Sequence, residues 1–216
     1  FQNNAWKHWH HSDGMDCAIG SLNEGVLYGL KQHGETLFIS NDFGQSYSAI
    51  GKPNEETNTE WVVASDINSK DEMYVGYSSL YKADVENNAF IKLHSFGVNI
   101  KRVIVSDNDD NIIFVLSDRG NVYKSVDAGK TFSSYYAKRD GSVLNIELSQ
   151  DNSNKIWFVT GSHRGQIELY EANSNEQTAD NTLTLVSHDL PSRINVIKHQ
   201  PYSNILYAGT VYGLFY

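Results

Sequence analysis

One cysteine, three prolines and no long apolar run mark this sequence of 216 residues. With Cys17 alone, an internal disulfide framework and any cysteine-rich zinc module are excluded. The fold must rest on packed side chains, and a chain of this length can bury enough of them. Basic residues are also scarce, with 17 Lys and Arg against 26 Asp and Glu and a formal net charge of -9. The longest basic pairs are Lys101-Arg102 and Lys138-Arg139, too little clustered charge to neutralise a phosphate backbone, so no nucleic-acid partner is expected. The same acid excess disfavours anionic membrane surfaces, and no run approaches the roughly 20 apolar residues of a spanning helix, so no membrane insertion is expected. The sequence opens at Phe1 without a charged and then apolar leader, which places any targeting segment outside it. No window carries a convincing helical period.

What is present repeats. Ser40-Asn41-Asp42-Phe43-Gly44-Gln45-Ser46-Tyr47 and Ser125-Val126-Asp127-Ala128-Gly129-Lys130-Thr131-Phe132 both read S-x-D-x-G-x-[ST]-[FY]. An aliphatic-aromatic pair precedes each, Leu37-Phe38 and Val122-Tyr123. A third copy, Leu80 to Phe90, keeps the length and closing aromatic but has Ala83, Val85 and Asn87 where Ser, Asp and Gly would stand. Fainter echoes begin at Leu169-Tyr170 and Leu214-Phe215. The anchoring aromatics Phe38, Tyr81, Tyr123, Tyr170 and Phe215 are spaced by 43, 42, 47 and 45 residues. That spacing suits a four-stranded propeller blade rather than a helical solenoid. Between the anchors lie short β-branched and aromatic runs such as Trp61-Val62-Val63-Ala64, Ile112-Ile113-Phe114-Val115 and Ile156-Trp157-Phe158-Val159, bounded by Asn, Asp, Gly and Ser. The expected fold is therefore all-β: a propeller of four-stranded blades with about five visible, either a closed five-bladed ring or, the favoured reading, part of a larger one. The blade units fall at 13–50, 58–96, 99–136, 142–187 and 192–216, with 5–10 as a strand of an adjoining or closing blade.

The S-x-D-x-G-x-[ST]-[FWY] turn resembles the Asp-box, or bacterial neuraminidase repeat, of sialidases, xyloglucan-cleaving propeller hydrolases and sortilin-type receptors. The phrase Ser12-Asp13-Gly14-Met15-Asp16-Cys17-Ala18-Ile19, followed by Val26-Leu27-Tyr28-Gly29, is similar to one found in secreted bacterial sortilin-like and glycosyl-hydrolase-like proteins. Gln2-Asn3-Asn4-Ala5 would be a degraded form of the Q-D-N-G that precedes it there. The resemblance implies a secreted, periplasmic or cell-surface protein. It also implies that the Asp-box joins a blade's third and fourth strands, away from the usual ligand face.

Asp42 and Asp127 look catalytic at first sight, yet an Asp two residues before a Gly folds back onto the amides of its own turn. Ser40, Asp42, Gly44, Tyr47, Ser125, Asp127, Gly129 and Phe132 are therefore read as structural, with Tyr47 and Phe132 as pegs between sheets. The densest polar cluster is Trp6-Lys7-His8-Trp9-His10-His11-Ser12-Asp13. Three readings stay open for it: a strand at the edge of the chain, a metal site on His8, His10 and Asp13, or a sugar platform of Trp6 and Trp9 flanked by hydrogen-bonding groups. Trp6, His8, Trp9, His10 and Asp13 are the candidate ligand-binding residues, and neither metal nor other cofactor is expected.

Asp13 and Asp16 suggest the acid and base of a glycosidase, but no partner loop aligns with them, so no catalytic residue is assigned. A sialidase would need three arginines on the substrate carboxylate, and none of the five here sits in the R-x-P phrase with which that family begins. Cys17 is read as a buried free thiol, Asp107 to Asn111 as a solvated hairpin turn rather than a calcium loop, and Asn173 to Thr182 as an exposed inserted loop. The expected function is a non-catalytic binding or scaffold propeller that takes glycan or protein on its ring face. The alternative is a xyloglucanase-like hydrolase with carboxylates partly outside this sequence.

Overall fold

The computed structural model describes residues 13–137, 141–151, 154–162, 167–180, 182–187 and 194–216. The first blade is β1 (Gly14–Ile19), β2 (Leu27–Lys31), β3 (Thr36–Ser40) and β4 (Ser48–Gly51). The second is β5 (Ala64–Ile67), β6 (Met73–Gly76), β7 (Ser79–Asp84) and β8 (Ala89–Ser95). The third is β9 (Ile100–Val105), β10 (Ile113–Ser117), β11 (Val122–Ser125) and β12 (Ser133–Tyr136), and the fourth β13 (Gly141–Leu148), β14 (Lys155–Ser162), β15 (Ile167–Asn173) and β16 (Thr184–Ser187). The fifth has three described strands, β17 (Ile194–His199), β18 (Leu206–Thr210) and β19 (Gly213–Phe215). Each sheet is an antiparallel meander in chain order, and inner strands β1, β5, β9, β13 and β17 pack successively on one another. This is a β-propeller, as the repeat period predicts.

Both faces of an interior blade are buried, which is why its strands read as unbroken apolar runs rather than alternating ones. In the second strands, Tyr28, Tyr74, Phe114 and Trp157 face the following blade. They meet Met73 and Val75, Ile113 and Val115, Ile156 and Phe158, and Ala208, respectively, which face back. The alternation of period two thus gives every middle strand one set of side chains for each neighbour.

Polar groups repeat across the same joints. The turn between first and second strands of one blade is held by a side chain from the next. Asp71 accepts the N–H groups of Ser21, Leu22 and Asn23 at 2.7, 3.1 and 2.8 Å, Asp110 accepts those of Ser69 N and Oγ, and Gln150 accepts that of Asp107. The acidic run 107–111 is thus a turn whose carboxylates bind neighbours, Asp110 also pairing with Lys70 at 3.1 Å. In the inner strands, Asp66 accepts the Val105 N–H and Glu147 the His199 N–H, two bonds at equivalent repeat positions.

Four expectations need correction. Trp61 and Val62 precede β5 and are exposed, because the strand begins only at Ala64. Cys17 is exposed: it occupies the inner-strand position that is buried in Val103, Ile146 and Ile197, but no described blade covers this side of blade 1. Tyr47 is 52% exposed and packs edge-on against Phe38 of its own blade, whereas Phe132 does lie between blades against Phe96 and His94. The inserted loop after β15 is also less exposed than expected. Ala179 is fully buried with its N–H on the Tyr135 carbonyl, and the buried Lys124 ammonium donates to the carbonyls of Ser174 and Glu176.

The two S-x-D-x-G turns are built as the residues dictate. Asp127 accepts from Thr131 N at 2.9 Å, Thr131 Oγ1 at 2.6 Å and Ser125 Oγ at 2.8 Å, and Asp42 makes the corresponding bonds to Ser46 and Ser40. Gly129, at φ 86°, seats against Leu93 and Leu80 of the preceding blade. In the eroded copy Asp84 bonds the backbone and side chain of Asn87 instead, so a different residue closes the turn.

Asp71→Ala strips the acceptor from three turn amides and should lower stability by about 2–4 kcal/mol in urea denaturation. Hydrogen bonds from the Thr131 and Ser125 side chains and the Thr131 amide hold the Asp127 carboxyl at about 2, and Asp42 is held at about 2 likewise. Both lie below the ordinary 3.8, so their contribution is complete above pH 3.8 and is lost as pH falls through 2. Asp127→Ala should therefore shift the urea midpoint downward at pH 7 and shift it much less at pH 2. Asp66 behaves oppositely: burial pushes its carboxyl up to about 6 against the hydrogen bonds of Val105 and Ile67 and the charge of Arg102. Protonation there favours the fold, so its contribution is present below 3.8 and declines as pH rises through 6. Carbon-detected NMR should find Asp66 titrating near 6, and an ordinary carboxylate midpoint would contradict this environment.

Candidate functional site

The two ends of the propeller differ. One carries the first-to-second and third-to-fourth strand turns, including both S-x-D-x-G turns. The other carries the second-to-third turns and the blade-to-blade connections, and there residues 52–63 link β4 to β5, against 96–99 between β8 and β9. This long connection crosses from blade 1 to blade 2 and forms one wall of a cleft of about 320 Å³. Glu55, Glu56, Ser78, Asn99, Asp118 and Arg119 line it.

The cleft is framed by hydrogen bonds rather than by loose loops. Glu56 is buried, with one oxygen accepting the Ser78 N–H at 3.0 Å and the other 3.0 Å from the Tyr81 hydroxyl. The same hydroxyl lies 2.9 Å from Glu55 Oε1, so one phenol serves two carboxylates. Burial, then the two hydrogen-bonded glutamates, push the Tyr81 hydroxyl well above its ordinary value, leaving it a committed donor. A backbone N–H and Tyr81 hold Glu55 below the usual carboxylate range. Across the cleft, the Asp118 N–H donates to the Asn99 carbonyl at 2.8 Å, tying together the connections that carry Asn99 and Arg119.

Beside the cleft stands Trp61, 52% exposed, with Val62 exposed next to it. The His33 ring meets the indole edge-on at 4.9 Å, and the His33 N–H donates to the Trp61 carbonyl at 2.9 Å. His33 sits at φ 57° in a short turn whose Gly34 carbonyl accepts the Tyr77 hydroxyl at 2.7 Å. A Cβ on Gly34 would lie 2.6 Å from the Tyr77 ring, so only glycine allows this approach. The neighbouring Glu60 accepts from Asn99 Nδ2 at 3.1 Å, joining the indole's loop to the cleft.

Chemically, this end offers an apolar ring face next to donors and acceptors of both charges. Glu55, held below the usual carboxylate range, is unsuited to carry a proton near neutrality. Among the described residues no group of three or more His, Cys, Asp or Glu is placed to hold a metal ion. A second cleft of about 420 Å³, between blades 2 and 3 at the other end, is internally neutralised: Lys82 pairs with Glu72 at 2.7 Å and Lys70 with Asp110.

Of the candidate residues, Trp6, His8, Trp9 and His10 lie outside the described residues. Asp13 is exposed just before β1, at the cleft's end of the propeller, with its carbonyl accepting the Gln32 N–H. Asp16 accepts the Ser65 hydroxyl at 2.6 Å, joining inner strands rather than facing a substrate. Sequence reasoning missed Trp61 by counting it as strand. The available signal was the length of the segment from Lys52 onward, too long for a tight connection.

No family model matches this chain, and no curated protein matches it in sequence. Solved structures match its fold. The β-propeller domain of Myceliophteria thermophila Cps50 (Swd1) superposes with a TM-score of 0.67 at 11% identity, over 94% of this chain and 69% of that one. YCF48, solved bound to D1 peptide, gives 0.59 at 11% identity over 92% and 60%, and the Niastella koreensis GH74 enzyme 0.56 at 18% over 80% and 30%. The chain thus spans less than two thirds of the length of the last two. At these identities the likeness is one of fold: the chain is built as a β-propeller of at least five blades.

Proposed function

We propose that this chain is a non-catalytic recognition propeller of the Asp-box, sortilin-like kind, acting in a secreted, periplasmic or surface protein. Its ligand is a peptide segment or glycan bound at the end opposite the S-x-D-x-G turns. The observation that carries this reading is the half-exposed Trp61, packed edge-on by His33 and joined to the polar cleft through the hydrogen bond between Glu60 and Asn99. A pyranose face or an apolar side chain covers the indole, while Arg119, Asn99 and the carboxylates take the polar groups. A propeller solved with a peptide bound is among the structures of similar fold, which supports the peptide arm.

The competing reading is glycoside hydrolysis, prompted by the GH74 enzyme of similar fold and the paired Glu55 and Glu56. Hydrolysis requires one carboxyl that keeps its proton near neutral pH. Glu55, held below the usual range, is unsuited to that role. Asp66, raised to about 6, is instead occupied with the Val105 and Ile67 amides in the inner strands.

A glycan array and a peptide library, paired with a reducing-sugar assay, test both. Trp61→Ala should weaken the ligand found by roughly 5- to 150-fold, the range for truncating a stacked aromatic. The melting temperature should change little, because half of the ring is already in water. Unchanged affinity in Trp61→Ala would remove the recognition site proposed here. Sugar release that Glu55→Gln abolishes would establish the hydrolase instead.

A further inference from the structure

Every described blade-to-blade joint uses the same two half-surfaces, and among the described residues one copy of each is left uncovered. The residue just before the anchoring aromatic faces the following blade. Leu37, Leu80 and Val122 are fully buried there and Leu169 is 8% exposed, but Leu214 of blade 5 is 64% exposed. The last inner-strand residue faces the preceding blade. Val105, Leu148 and His199 are buried in that position, but Ile19 of blade 1 is 66% exposed. Cys17 and Tyr47 extend the uncovered surface of blade 1, at positions where later blades bury Val103, Ile146 and Ile197 and seat Phe132 between blades.

We propose that these faces are docking surfaces for further four-stranded β-blades that continue the ring from blade 5 round to blade 1. The occupant of blade 5 presents a pair of aliphatic side chains from its second strand, as Met73 and Val75 do to blade 1. The occupant of blade 1 presents an aromatic at the position of Tyr28 and Tyr74 and an aliphatic residue at that of Leu37 and Leu80. Two observations favour blades over other partners. Both open faces are halves of a joint already made four times in this chain, so their complement is known side chain by side chain. Moreover, the five blades span 69% of one propeller domain of the same fold and 60% of another propeller, which leaves room for about two to three more of this size. A second copy fits poorly, because five more blades exceed that space.

Cys17, the one cysteine of the sequence, reports on the face directly. The test alkylates the protein purified from the cells that make it, native and urea-unfolded, and follows the Cys17 peptide by mass spectrometry. The 216-residue chain made alone is treated in parallel over a range of concentrations, with sedimentation velocity. The expected result is native Cys17 reacting at least about tenfold more slowly than unfolded in the cellular protein, and at close to the unfolded rate in the chain alone. Equal native and unfolded rates in the cellular protein would overturn the proposal. So would protection in the chain alone: at every concentration it would mean that the chain covers its own face, and only at high concentration, with a dimer in sedimentation, that a second copy does. The ligand site at Trp61 is not touched by any of these outcomes.

Discussion

The contact between one blade's second strand and the next is the constraint on which the rest depends. An antiparallel meander of four short strands cannot bury both of its faces alone, so each blade exists as a packed sheet only through its neighbours. Tyr28 on Met73 and Val75, Tyr74 on Ile113 and Val115, and Phe114 on Ile156 and Phe158 are the same solution with different side chains. The side chains differ from joint to joint while their arrangement is kept, a substitution that cores tolerate when size and pattern are preserved.

Orientation is fixed by polar bonds laid over this apolar frame. Asp71, Asp110 and Gln150 each reach back to the preceding blade's turn, and Asp66 and Glu147 bridge adjacent inner strands. Apolar contact alone would tolerate a sliding register between blades. Hydrogen bonds to specified backbone amides do not, because a shift of one residue leaves buried donors unpaired. The buried Lys124 applies the same logic to the loop after β15, where the carbonyls of Ser174 and Glu176 replace the solvent its ammonium has lost. Burial lowers the affinity of that amine for its proton.

The fold was legible because its signals are local. An Asp two residues before a Gly, a closing aromatic and a period near 43 residues each follow from the geometry of one turn or one blade. Tyr47 and Cys17 were misjudged for the opposite reason: their burial depends on a neighbouring blade, and composition does not say which blade has one. Trp61 was misjudged because an aromatic next to two valines reads as strand, and only the hydrogen bonds to His33 and the start of β5 at Ala64 reveal a loop. The cleft was invisible for a related reason. Glu55, Ser78, Asn99 and Arg119 come from four separate connections, and no linear spacing announces that they converge.

Tyr81 belongs to two worlds at once. Its ring is part of the apolar joint between blades 1 and 2, and its hydroxyl holds the carboxylates of the cleft. The wall of the cleft is therefore continuous with the core through this one side chain. Under the proposed reading, a ligand would meet a preformed mould. Its ordering entropy would already have been lost on folding, so discrimination would come from fit rather than from closure.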